Sequence, residues 1–150
     1  MHQFTLETTI HAPLPLVFTC FYEPEYLSEW FAPGDSVVSQ VMSDFKEGGK
    51  YRIKIQTPSG EETTLEGEYI QILTNERLVY SWAQENSTES ALMSTVTVIF
   101  EGLTSKDVEI TLEQIGFTNQ DSCRHHQQAW LSCFEKLAIF AQRYSNTHSR

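Results

Sequence analysis

Cys123, His125 and His126 fall within one turn of each other near the C-terminal end of the chain. Thiolate and imidazole are the usual ligands of zinc, which needs three protein ligands at a catalytic site and four at a structural one. On a helix Cys123 and His126 share a face, whereas His125 points elsewhere. No second Cys/His cluster follows at ligand spacing, so no metal is expected. His126 has a second chemistry as a general base, since imidazole titrates near neutrality. Trp130 follows His126 by one turn on the same face. Tyr51, Tyr69, Tyr80, Trp82 and Trp130 each join a large apolar face to a polar tip. Such side chains line pockets and orient one end of a ligand, and as a set they exceed what sheet-on-helix packing requires. Trp30-Phe31 stands just before the Pro33-Gly34 turn, where the same bulk serves as gate or as plug. The expected cavity residues are Trp30, Phe31, Tyr51, Tyr69, Trp82, His126 and Trp130, around one pocket of at least roughly 300 Å³.

Other chemistries find no support. There is no G-x-S-x-G elbow. Gly48-Gly49 lies in a hairpin turn with no helix after it, so it is no phosphate cradle. Glu23 and Glu25 open a helix, where the dipole favours acids. Glu66 and Glu68 lie on one strand face and read as solvated or salt-bridged. No catalytic residue and no cofactor is assigned.

These side chains must be held by the elements that the hydrophobic pattern predicts. Residues 3–10 alternate as a half-buried strand. Pro13 suits a first helical position, and Leu14, Val17, Phe18 and Phe21 form a short apolar stripe. Pro24 starts a second short helix, PEYLSEWF, which stops before Pro33. Six strands follow: SVVSQVMS, KYRIKIQT, TTLEGEYIQIL, RLVYSWAQ, LMSTVTVIF and DVEITLEQI. Turn residues separate them at Glu47-Gly48-Gly49, Pro58-Ser59-Gly60, Thr74-Asn75-Glu76, around Glu85-Asn86-Ser87, and from Gly102 to Lys106. Short connections imply antiparallel neighbours. A long helix, Asp121 to Tyr144, carries a stripe of His126, Trp130, Cys133, Leu137, Phe140 and Tyr144, widened by Leu131, Phe134, Ala138 and Ala141. The expected fold is α+β: a curved antiparallel sheet of about seven strands wrapped around the C-terminal helix, with two short helices after the first strand. One domain spans 1–145, and 146–150 form a loose tail.

The chain has 150 residues, 40% hydrophobic and 12% aromatic, and a formal charge of −10. A surface that acidic repels phosphate backbones and anionic membranes, so neither nucleic acid nor membrane is an expected partner. Residues 1–45 hold six acids and no Lys or Arg, and four of the ten basic residues fall at Lys46, Lys50, Arg52 and Lys54. The start of the chain lacks the basic and apolar regions of a signal peptide, and no apolar run reaches transmembrane length, so a cytoplasmic location is expected. Three cysteines, Cys20, Cys123 and Cys133, argue against a disulfide framework.

The hairpin that carries the basic run has a readable register. Thr57-Pro58-Ser59-Gly60 fits a type I turn followed by a left-handed Gly. It sets Ile53 opposite Leu65 and Ile55 opposite Thr63 on the inner side. Arg52 then faces Glu66 and Lys50 faces Glu68 outside, and the Tyr51 ring covers Gly67.

A set of short motifs runs nearly end to end: Ala12-Pro13 with Val17-Phe18, Glu23-Pro24-Glu25 with Leu27, and Trp30-Phe31-Ala32-Pro33. Asp44 to Tyr51 reads D-x-x-x-G-G-x-[FY], and Gly67-Glu68-Tyr69, Asn75 to Tyr80, Leu112 to Phe117 and the His126–Trp130 spacing follow. In these motifs and their order the sequence resembles the activator of heat-shock-protein-90 ATPase homologue-like family of the START and birch-pollen-allergen helix-grip superfamily. Ala129 stands where the family usually shows Gly, and Glu23 replaces the commoner Asp. The resemblance implies the helix-grip fold. Fold does not fix function, and three readings are carried forward. The first is non-enzymatic binding of a small hydrophobic molecule in a cavity between sheet and C-terminal helix. The second is a co-chaperone-type interaction module stimulating a heat-shock-protein-90-like ATPase. The third is a cyclase or hydrolase with His126 as base. A homodimer is compatible with all three.

Overall fold

The computed structural model describes residues 2–84 and 93–148. Its elements are β1 (His2–Ile10), α1 (Leu14–Thr19), α2 (Pro24–Trp30), β2 (Val37–Ser43), β3 (Lys50–Gln56), β4 (Glu62–Leu73), β5 (Arg77–Gln84), β6 (Met93–Thr104), β7 (Asp107–Phe117) and α3 (Gln120–His148). The seven strands form one curved antiparallel sheet in the order β1-β7-β6-β5-β4-β3-β2. Every β-to-β connection from β2 onward joins neighbours, whereas α1 and α2 carry the chain from one sheet edge to the other.

Period-two alternation fills the inner face. Leu78, Tyr80 and Trp82 of β5, Val96, Val98 and Phe100 of β6, and Val108, Ile110 and Leu112 of β7 are all buried. Against them α3 buries Cys123, Trp130, Cys133, Phe134, Leu137 and Ala141. The two short helices add Val17, Phe18, Leu27 and Trp30 to the same core.

The hairpin register is as expected: Lys50, Tyr51, Arg52, Ile53 and Ile55 stand opposite Glu68, Gly67, Glu66, Leu65 and Thr63. Thr57 N–H donates to the Glu61 carbonyl at 2.8 Å, and Gly60 takes φ 93°. Arg52 Nε lies 3.8 Å from Glu66 Oε2. Lys50 and Glu68 remain Cα partners on the exposed side.

Three expectations are corrected. β6 continues through Gly102 to Thr104, so the turn before β7 is tighter than the sequence suggested. α3 runs to His148, so residues 146–148 are helical rather than loose; Tyr144 and His148, stacked at 3.9 Å, help carry that last turn. Leu131 is 47% exposed and does not widen the buried stripe. The turn around Glu85-Asn86-Ser87 and the start of the LMSTVTVIF strand at Leu92 lie outside the described residues.

Candidate functional site

The connection from α2 to β2 is tied down onto α3. Lys136 Nζ donates to the carbonyls of Ala32 at 2.5 Å and Ser36 at 3.3 Å, and Gly34 N–H donates to Ser132 Oγ at 2.8 Å. The strap so formed, the β3–β4 hairpin, the end of β5 and the first half of α3 surround a cavity of about 280 Å³. Its floor is apolar and buried: Phe31, Leu65, Trp82, Trp130 and Cys133. Its rim is more polar, with Ser36, Thr57, Thr63 and Gln84, and His125 and His126 stand on the helix side beside Ala129. No Lys, Arg, Asp or Glu is among the described residues that line it.

The walls are fixed by buried polar contacts. Trp130 Nε1–H donates to Gln114 Oε1 at 2.9 Å, and Gln114 Nε2–H donates to Ser94 Oγ at 2.9 Å. Gln114 is wholly buried. A satisfied chain of this kind holds a ring in one orientation, since breaking it strands a donor in the interior. Trp82 differs: its indole N–H is buried with no partner among the described residues. A donor left in that state costs about 1–3 kcal/mol.

His126 Nδ1 lies 2.8 Å from the Ser122 carbonyl, one turn back, so the hydrogen sits on that nitrogen. Its ring packs between Phe117 at 5.0 Å and Trp82 at 6.1 Å. Burial pushes the Cys133 thiol up to about 12, with Lys136 opposing the shift, so the thiolate is scarce near neutral pH. Burial pushes Cys20 up to about 12 as well. Among the described residues, no three His, Cys, Asp or Glu side chains gather in a metal-binding group.

Of the seven residues expected around one pocket, the structure brings together Phe31, Trp82, His126 and Trp130. Trp30 is not among them. It is 1% exposed, and its Nε1–H donates to the Cys20 carbonyl at 2.9 Å. Trp30 is thus the plug of the pair, and Phe31 is the one that meets open space. Tyr51 and Tyr69 line a separate void of about 10 Å³, together with Phe21, Leu27, Phe31, Ile53 and Tyr80. The interior is divided because the Phe31 ring stands between the two spaces. The main cavity also falls slightly short of the expected roughly 300 Å³. Sequence reasoning had not assigned Ile55, Thr63, Leu65 or Gln84 to the site. The hairpin register placed the first three on the inner face, and the alternation Leu78, Tyr80, Trp82 extends to Gln84.

The family model described as Activator of Hsp90 ATPase homolog 1-like protein matches residues 11–142. No curated protein matches the sequence. Among solved structures, protein CV1439 from Chromobacterium violaceum has a TM-score of 0.83 at 20% identity, covering 94% of this chain and 98% of its own. Protein NE0264 from Nitrosomonas europaea has a TM-score of 0.81 at 20% identity, with 96% of each chain covered. The protein SPO3351 from Silicibacter pomeroyi gives 0.81 at 18% identity, covering 92% of this chain and 96% of its own. At such identities the likeness is one of fold.

Proposed function

Because the chain belongs to the Activator of Hsp90 ATPase homolog 1-like family, and so shares its helix-grip fold, we propose that it binds a small, neutral, hydrophobic molecule without transforming it. The observation that carries this reading is the cavity of about 280 Å³ with a buried apolar floor and a polar rim. Sites of roughly this volume and composition enclose small ligands. Neutrality follows from the lining: no charged side chain among the described residues faces the space, and a net charge of −10 repels anions. The unpartnered indole N–H of Trp82 favours a ligand that carries one hydrogen-bond acceptor.

The enzyme reading loses support from the same geometry. A hydrolase or cyclase needs a second group poised against the base, but no carboxylate is among the described lining residues and the Cys133 thiol stays protonated. Stimulation of a heat-shock ATPase is named by the family's description. Its candidate docking surfaces are the acidic segment 1–45 and the basic run 46–54, and the basic run is partly neutralised by Arg52–Glu66 and by Lys46–Asp44 at 3.7 Å.

Titration with the neutral fluorophore N-phenyl-1-naphthylamine tests the proposal. Saturable uptake of one molecule per chain is expected, with a Kd on the order of 10 µM for a ligand of this size. A response that rises linearly without saturating would refute it. No helix among the described residues is long and apolar enough to cross a membrane.

A further inference from the structure

We infer that Phe31 is a displaceable partition that sets the length of ligand the protein accepts. This inference rests on the binding function proposed above. Phe31 borders both the cavity of about 280 Å³ and the void of about 10 Å³, and no other described residue lines both. On its far side stand Tyr51, Tyr69 and Tyr80, with ring centroids 5.5–6.3 Å apart.

The far chamber is walled largely by tyrosine rings. Tyr51 and Tyr69 have committed hydroxyls: Tyr51 donates to the Ser81 carbonyl at 2.6 Å, and Tyr69 pairs with Ser43 Oγ at 2.7 Å. Tyr80 completes this wall and is 4% exposed. The void is about the size of one water molecule. A chain that pushed past Phe31 would enter a void walled by these three rings.

Phe31 is placed to move. It caps α2 with φ −87° and ψ 42°, outside the helical region, while its N–H donates to the Leu27 carbonyl at 3.0 Å, so the backbone is anchored and the side chain is the part that can turn. Its ring neighbours are Trp30 at 5.1 Å, Trp130 at 5.4 Å and Trp82 at 5.9 Å, and the spaces on its two sides leave room for a second staggered rotamer. The strap that follows is held at Ala32, Gly34 and Ser36, so displacement is confined to the side chain and the cap.

The test is displacement of N-phenyl-1-naphthylamine by linear 1-alkanols of increasing length, from wild type, Phe31→Ala and Phe31→Leu. Thermal unfolding of each variant confirms that it folds, and Phe31→Leu serves if Phe31→Ala does not. In wild type the affinity should climb roughly fourfold per methylene and then level off where the chain meets Phe31. In the variants the climb should continue for about two further methylenes, so that the longest alkanols bind roughly tenfold more tightly than to wild type. Levelling at the same length in all three forms, with normal probe uptake, overturns the partition and leaves the binding function standing. No saturable uptake by any form overturns both.

Discussion

Replacing Ala129 with Phe should abolish probe uptake while leaving the protein folded. Ala129 lines the cavity from α3, next to Trp130 and one turn before Cys133. It is half-buried, so its Cβ faces space rather than a packed neighbour. A benzyl group at this position projects into about 280 Å³ of room and across the apolar floor. The penalty on folding is then chiefly the weaker helix propensity of Phe, about 0.5 kcal/mol. The ligand, by contrast, loses the volume it would occupy. Affinity for N-phenyl-1-naphthylamine should fall at least about a hundredfold, which corresponds to about 3 kcal/mol of excluded contact. Fluorescence titration reads the first effect and thermal unfolding the second. Unchanged uptake by a folded Ala129→Phe would place the binding elsewhere.

Gly67→Ala should cause the largest loss of stability. A Cβ at Gly67 would sit 2.0 Å from the Ser81 carbonyl oxygen, 2.7 Å from the Ser81 carbonyl carbon and 2.8 Å from Tyr51 Cε1. Two of these are backbone atoms of the neighbouring strand and cannot rotate away. The third belongs to a ring whose hydroxyl is bonded to that same carbonyl at 2.6 Å. Burial holds the Tyr51 hydroxyl well above the ordinary tyrosine range, so it stays a donor and the contact persists through neutral pH. One methyl group must therefore part β4 from β5 and expel the Tyr51 ring together. Overpacking of this kind costs about 1–3 kcal/mol, and the backbone clash puts Gly67→Ala at about 3 kcal/mol. For a chain of this size the melting temperature should drop by roughly 10 °C. Calorimetry checks it, and a drop below about 2 °C would mean that the strands part more easily than the geometry allows.

The Tyr51–Gly67 pair was legible from the sequence because it depends on local information alone. Pro58 and Gly60 define the turn, the turn defines the register, and register places Tyr51 opposite Gly67. The element order was legible for a similar reason: proline and glycine mark boundaries, and the strands connect by short turns. The partition of the interior was not legible. Trp30 and Phe31 are adjacent, and both are large and apolar. Only the path of α2 across the sheet decides that Trp30 turns to the Cys20 carbonyl while Phe31 faces open space. Tyr69 and Trp82 belong to strands paired with one another, yet one ends up on each side of the Phe31 ring. Sheet curvature and helix placement, set by contacts far apart in the chain, control that outcome. Leu131 failed for a related reason. A stripe read by spacing has no absolute width, and α3 buries only the arc through Trp130, Phe134, Leu137 and Ala141.

The three tryptophans offer the most direct test of where a ligand sits. Trp82 and Trp130 line the cavity, whereas Trp30 is buried behind Phe31 with its N–H held by Cys20. Protein labelled with 5-fluorotryptophan should give one ¹⁹F resonance per residue, assigned with single Trp→Phe variants. On titration with N-phenyl-1-naphthylamine, the Trp82 and Trp130 resonances should shift together and saturate at one equivalent, with the Trp30 shift the smallest of the three. If Trp82 and Trp130 stay fixed while the probe binds, or if Trp30 alone responds, the cavity between sheet and helix is not the binding site.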